Sequence, residues 1–133
     1  MFSISFASSM DMIKSRGYLR CGVTTGLPGF SFKDDQGNWH GFDVDMCKAL
    51  SFVIFGEPDK TEFVTLTNQM AISALKSHQV DILARVTSIN YSRDNIKGLI
   101  FAATDYIDQQ GFMVKSSSFK MPNDLNNKTI CLV

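Results

Sequence analysis

Several familiar signatures are missing from this sequence. No apolar run approaches the ~20 residues that span a bilayer, which excludes a membrane helix among the 133 residues. Basic residues never run beyond a pair, and 13 basic residues cancel 13 acidic ones, so no nucleic-acid footprint is present. Histidine is scarce: His40 and His78 stand far apart and read as solvated loop residues. The three cysteines, Cys21, Cys47 and Cys131, have no metal-type spacing, and neither a metal nor a cofactor is expected. Three is odd, so at least one thiol is unpaired within the chain or has its partner elsewhere; the count leaves the redox compartment open. No internal repeat and no low-complexity tract appears. What remains is a chain 44% apolar and 20% charged, the composition and length of one packed domain.

The stretch Val80–Asp94 organises that domain. Val80-Asp81-Ile82-Leu83-Ala84 is a short apolar run that reads as a buried strand of a parallel sheet. Small polar residues follow, Thr87-Ser88 and then Asn90, and Ser92 suits the cap of a helix carrying Arg93 in its first turn. A strand thus ends in a cluster of hydroxyls and amides, with a guanidinium five residues after Ser88. In open α/β sheets ligands bind at that rim. Arg offers a planar fork that takes a carboxylate with two parallel hydrogen bonds. The chemistry read here is a carboxylate clamp at Arg93; the plain alternative pairs Arg93 with Asp94, Asp81 or solvent.

The rest alternates strands with helices. Met10–Arg16 is a short amphipathic helix stopped by Gly17, and Tyr18–Thr24 the first strand. Ser31–His40 reads as a hairpin with Asp34–Gly37 at its tip and Trp39 packed on the sheet edge. Asp43 or Asp45 suits the cap or first turn of a long helix whose buried stripe is Val44, Cys47, Leu50 and Ile54, stopped at Gly56. Thr61–Leu66 is the second strand, and Thr67 or Asn68 caps a helix with Ile72 and Leu75 facing the core. Weaker strands are expected at Ile100–Ala103 and Gly111–Lys115, then a linker at Ser116-Ser117-Ser118, a turn at Asp124–Lys128, and a strand beginning at Thr129–Val133. This order implies a mostly parallel sheet with right-handed crossovers. The start, MFSISFASSM, reads either as a frayed end or as the tail of an export signal that lacks a basic n-region.

Six collinear pieces carry a family resemblance: LRCGVTTGLPGFSF, GNWHGFDVDMCKAL, EFVTLT, ALKSHQVDILAR, TSINYSRD and DQQGFMVK. Through them the chain resembles the polar amino-acid solute-binding proteins of bacterial ABC importers, general L-amino-acid branch. The resemblance implies a periplasmic-binding-protein type II lobe, α/β with a mostly parallel sheet flanked by helices. The second lobe is missing from that plan: residues 1–10 would be a signal remnant or disordered start, residues 11–115 the first lobe, and residues 116–133 a linker and stub. It also favours the export reading of the N-terminus and a periplasmic location. It implies that Arg93 grips the ligand α-carboxylate, that Ser88 adds a hydroxyl to it, and that the backbone of Val86 meets the α-amino group. Thr24 and Leu27 would line the side-chain pocket, with Asn68 near its rim. The implied partners are an L-amino acid and the membrane permease of the importer.

Three functional classes follow. The first is a substrate-binding lobe, intact or truncated. The second is an enzyme on the same fold, such as a periplasmic dehydratase; the cleft segments offer arginines and hydroxyls but no catalytic acid or base. The third is a fragment that self-associates through the unpaired edge at Thr129–Val133.

Overall fold

A computed structural model describes residues 8–94, 99–109, 111–114, 119–129 and 131. The chain divides into two units, Met1–Phe101 and Ala102–Val133.

The first unit opens with α1 (Ser9–Arg16). Ser8 and Asp11 cap it reciprocally, side chain to backbone in both directions, and Gly17 ends it. Residues 8–10 are therefore the cap and first turn of α1, which begins one residue before the expected start; residues 1–7 of the signal-like segment lie outside the described residues. Strand β1 (Leu19–Val23) follows, then a hairpin of β2 (Phe32–Lys33) and β3 (Trp39–His40), helix α2 (Phe42–Phe55), strand β4 (Thr61–Thr65), helix α3 (Asn68–Lys76), strand β5 (Ile82–Leu83) and a single helical turn, α4 (Tyr91–Asp94).

The sheet has the order β4-β1-β5 and is parallel throughout. Leu19 to Val23 lie opposite Thr61 to Thr65, and Cys21 and Gly22 opposite Ile82 and Leu83. Only two residues are regular strand in β5, yet the ladder reaches four of the expected five: the amides of Asp81 and Ala84 donate to the carbonyls of Arg20 (2.9 Å) and Gly22 (3.0 Å), while the Val80 amide turns to the Ala74 carbonyl (3.3 Å). Side chains alternate across the pleat. Cys21, Val23, Phe63 and Ile82 pack with Cys47 of α2 and with Trp39. Val64 and Leu83 face the other way, onto Leu66, Ala74, Leu75 and Val80. Each crossover helix thus covers one face. Gly22 leaves room on the second face, where a Cβ would sit 2.7 Å from methyls of both Leu66 and Leu83.

Cys21 and Cys47 form a disulfide between β1 and α2, with Cα atoms 6.3 Å apart, and Cys131 is an exposed free thiol. On α2 the fully buried line is Val44, Cys47 and Ser51 rather than Val44, Cys47, Leu50 and Ile54. Ser51 tolerates burial because its hydroxyl donates to the Glu57 carbonyl at 2.9 Å. On α3 the small residues Ala71 and Ala74 sit deepest, letting the helix approach the sheet, while Ile72 and Leu75 are half-buried. Helix α2 begins at Gly41, not at an aspartate cap; Asp43 and Asp45 occupy its first turn. Gly41 has φ 119°, and a Cβ there would meet the Phe30 carbonyl oxygen at 2.3 Å, so the entry to α2 accepts no larger residue without moving backbone. The hairpin is as expected, with Trp39 half-buried against Phe63 of the edge strand, ring centroids 5.6 Å apart.

In the second unit the described residues form no helix or strand apart from one 3-10 turn, Pro122–Leu125, where the amides of Lys120 and Met121 donate to Asp124. The expected strands at residues 100–103 and 111–114 are not formed, because a strand exists only with a ladder partner and no described residue pairs with them. Thr129 and Cys131 are likewise outside any strand; Lys115, the serine linker and the rest of residues 130–133 lie outside the described residues.

Candidate functional site

Because the three sheet strands are parallel, their carboxyl ends share one rim. Thr24 follows β1, the loop from Leu66 to Asn68 follows β4, and residues 84–90 follow β5. The register places Thr24 beside both neighbours: the Leu66 amide donates to the Val23 carbonyl (2.9 Å), and the Ala84 amide to the Gly22 carbonyl. Five of the six residues singled out in the sequence, Thr24, Asn68, Val86, Ser88 and Arg93, therefore belong to this rim or to the loop leaving it. Leu27 lies farther along the loop after β1, exposed and bridged to Ser31, and makes no described contact with the other five.

Arg93 rides on α4. The turn is capped by Asn90, whose side chain accepts from the Arg93 amide at 2.9 Å; Ser92, the expected cap, lies inside the turn. Asn90 stands three residues before the Arg93 amide, which it holds with both its side chain and its carbonyl (3.1 Å), the spacing an Asx cap serves. The Arg93 guanidinium donates through Nη1 to the backbone carbonyl of Ser88 at 2.9 Å. Among the described side chains the ion pairs are Arg16–Asp81, Arg20–Glu62, His40–Asp34 and Lys60–Glu57, so Arg93 is in none of them; the Asp94 side chain, a partner in the plain alternative, lies outside the described ones. Asp81 in particular is occupied at the opposite end of β5, holding Arg16 and the Arg20 amide (2.7 Å). The Val86 carbonyl takes no hydrogen bond from another described residue, and its side chain is exposed.

A second guanidinium at the rim is Arg85, which sequence reading passed over. Its Nη1 donates to the Thr67 carbonyl (3.2 Å) and its Nη2 to the Asn68 side chain (2.7 Å). Its Nε is buried with no acceptor among the described residues. Burial above all, and then the like charge of Arg93, pull the Arg85 guanidinium below its ordinary value, with the Asp43 carboxylate acting the other way. Asp43 is itself buried and accepts from the Ser31 hydroxyl at 3.5 Å. The rim therefore carries two positive charges within electrostatic reach of each other, an open carbonyl and several hydroxyls. That set can hold a carboxylate and a neighbouring ammonium. Among the described residues no cluster of three or more His, Cys, Asp or Glu has the arrangement of a metal site.

The family described as bacterial extracellular solute-binding proteins, family 3, matches residues 19–128. The general L-amino acid-binding periplasmic protein AapJ of Rhizobium johnstonii is 39% identical over 131 residues, 98% of this chain and 38% of that protein. A periplasmic binding protein of an ABC transporter from Brucella ovis, solved with glutathione bound, superposes with a TM-score of 0.73 at 44% identity, over 76% of this chain and 32% of that one. A point mutant of domain 1 of ArgBP from T. maritima, in its arginine-bound form, gives 0.58 at 34% identity over 64% of each chain. The chain thus spans about 38% of the length of the curated relatives it matches.

Proposed function

Since the chain belongs to the bacterial extracellular solute-binding proteins, family 3, and has the fold of one lobe of a type II periplasmic binding protein, we propose that it is the first-lobe half of an amino-acid site in an ABC importer. The family is one of solute binders rather than enzymes. In this reading Arg93 holds the α-carboxylate of an L-amino acid with its open donors, the Ser88 hydroxyl completes the shell, and the Val86 carbonyl takes a proton of the α-ammonium. Thr24, Leu27 and Asn68 border the side chain. The loaded protein hands its ligand to membrane permease subunits in the periplasm. The relative AapJ is named as periplasmic, and the Cys21–Cys47 disulfide suits an oxidising compartment.

The observation that carries the proposal is the setting of Arg93. Its guanidinium is fixed by one backbone carbonyl, it is in no ion pair among the described side chains, and it stands on the rim where parallel α/β sheets bind ligands. The test is a titration of the 133-residue chain with a panel of L-amino acids, followed by NMR chemical shifts and calorimetry. Arg93→Ala is expected to weaken binding by about tenfold or more, the worth of a charge-assisted hydrogen bond, while changing stability by about 1 kcal/mol or less. Equal binding by the variant and the parent refutes the clamp.

A further inference from the structure

We propose that Arg85 gives the rim a second anion-binding group, so that the site prefers amino acids whose side chain ends in a carboxylate. This rests on the reading of Arg93 as the α-carboxylate clamp.

A guanidinium carries five N–H donors and no acceptor. Arg85 uses one on the Thr67 carbonyl and one on the Asn68 side chain. Those two bonds fix its plane against the loop after β4. They leave Nε, buried without an acceptor, and one hydrogen on each terminal nitrogen. A buried donor without an acceptor is costly, and an Arg does not relieve the cost by losing its proton. An acceptor relieves it, and a charged one does so most strongly.

One buried acid, Asp43, lies within the field of Arg85. Arg85 is in none of the ion pairs of the described residues. Asp43 is the acid whose field reaches it, but that carboxylate is buried in the first turn of α2, beside Ser31. Against it act the like charge of Arg93 and the burial of Arg85 itself. The start of α3 adds to the positive field: Thr67 gives it no side-chain cap, and the Asn68 side chain is turned to Arg85 instead.

The two guanidiniums lie within each other's field. Arg93 is fixed on the Ser88 carbonyl, and Ser88 lies three residues past Arg85, so the backbones that carry the two sites are at most about 10 Å apart. An α-carboxylate on Arg93 brings the rest of the ligand into the field of Arg85. A neutral side chain would leave the second charge as it stands. A carboxylate would neutralise it with paired, charge-assisted bonds.

The test compares each acid with its amide, which has the same shape: L-glutamate against L-glutamine and L-aspartate against L-asparagine, titrated into the full chain. The acids are expected to bind about 10-fold more tightly or better, with the preference shrinking as salt is added. Arg85→Gln is expected to bring the ratio near one, and Arg85→Lys, which keeps the charge, to retain a preference. Equal binding of acid and amide by the parent overturns the inference and leaves the clamp standing. So does an Arg85→Gln variant that weakens both ligands by one factor, which would make Arg85 a brace for the loop at Thr67. Binding of neither ligand, by a parent that melts normally, overturns the clamp and this inference together. If Arg85→Gln does not fold, the Arg85→Lys ratio and the salt dependence decide.

Discussion

Asp34 shows how much one side chain can hold. Its Oδ1 accepts the amides of Gln36 (2.9 Å) and Asn38 (2.8 Å), and its Oδ2 lies 2.9 Å from His40 Nε2. The His40 contact first, then the amide bonds, lower its carboxyl from the ordinary 3.8 to about 2. A folded value below the unfolded one means stability that is present above about pH 4 and is lost as pH falls through about 2. Trp39, the chain's single tryptophan, sits on the same hairpin and reports it. Its fluorescence is expected to shift across that acid window in the parent, and to show the loosened state already at neutral pH in Asp34→Ala. Coincident pH curves for the two proteins would remove Asp34 from this role. The same scale explains what the sequence showed of the site. Arg93 was legible because its setting is local: hydroxyls, an Asx residue and the Arg fall within a few positions. Arg85 was not, because its partners lie 17 and 18 residues back, across a helix, and its orphaned donor is visible only once the loop after β4 folds over it.

Between elements, the Cys21–Cys47 bond ties the central strand to the helix covering one of its faces. It closes a loop of 26 residues. Restricting the unfolded chain over that length contributes about 3 kcal/mol on the chain-entropy account. Urea unfolding under reducing conditions is expected to lose about that much stability, as is the double variant Cys21→Ala/Cys47→Ala, whose unfolding should no longer respond to reductant. Thiol titration of the native protein should find Cys131 alone. An identical unfolding curve with and without reductant would show that the two thiols are not joined in solution. The pairing was not legible, since cysteine count and spacing allow it without requiring it. The strands and helices were, wherever period and caps agreed: β1, the hairpin, α2, β4, α3 and the ladder at β5 all stand where apolar alternation or a three-to-four-residue stripe put them. The failures share one cause. Residues 100–103 and 111–114 have strand-like composition, but composition does not supply a neighbouring strand.

For the molecule as a whole, the question is how tightly a rim open to water holds an amino acid. An exposed ion pair contributes ~0–1 kcal/mol, because water screens it and two side chains must be ordered. Arg93 gains on that figure, since its guanidinium is already fixed by the Ser88 carbonyl, so less entropy is lost on binding. Adding a bond from the ligand ammonium to the Val86 carbonyl and one from the Ser88 hydroxyl to the carboxylate, each to a charged group at about 1.5 kcal/mol, brings the sum to ~3–4 kcal/mol, which is a dissociation constant of ~1–6 mM. Tighter binding needs enclosure, which removes water and strengthens every charged contact. The chain spans 38% of the length of AapJ, and in this reading the enclosing wall belongs to the second lobe of the family plan. The arginine-bound domain 1 of ArgBP is a precedent for one domain holding its ligand. The isolated 133-residue chain is therefore expected to bind its preferred L-amino acid with a dissociation constant between ~0.1 and ~10 mM, by calorimetry or chemical-shift titration. A value near ~1 µM requires another ~4 kcal/mol from contacts that an open rim does not offer. Measuring one would show that the rim is enclosed in solution, and sedimentation in the presence of ligand would tell whether a second copy encloses it.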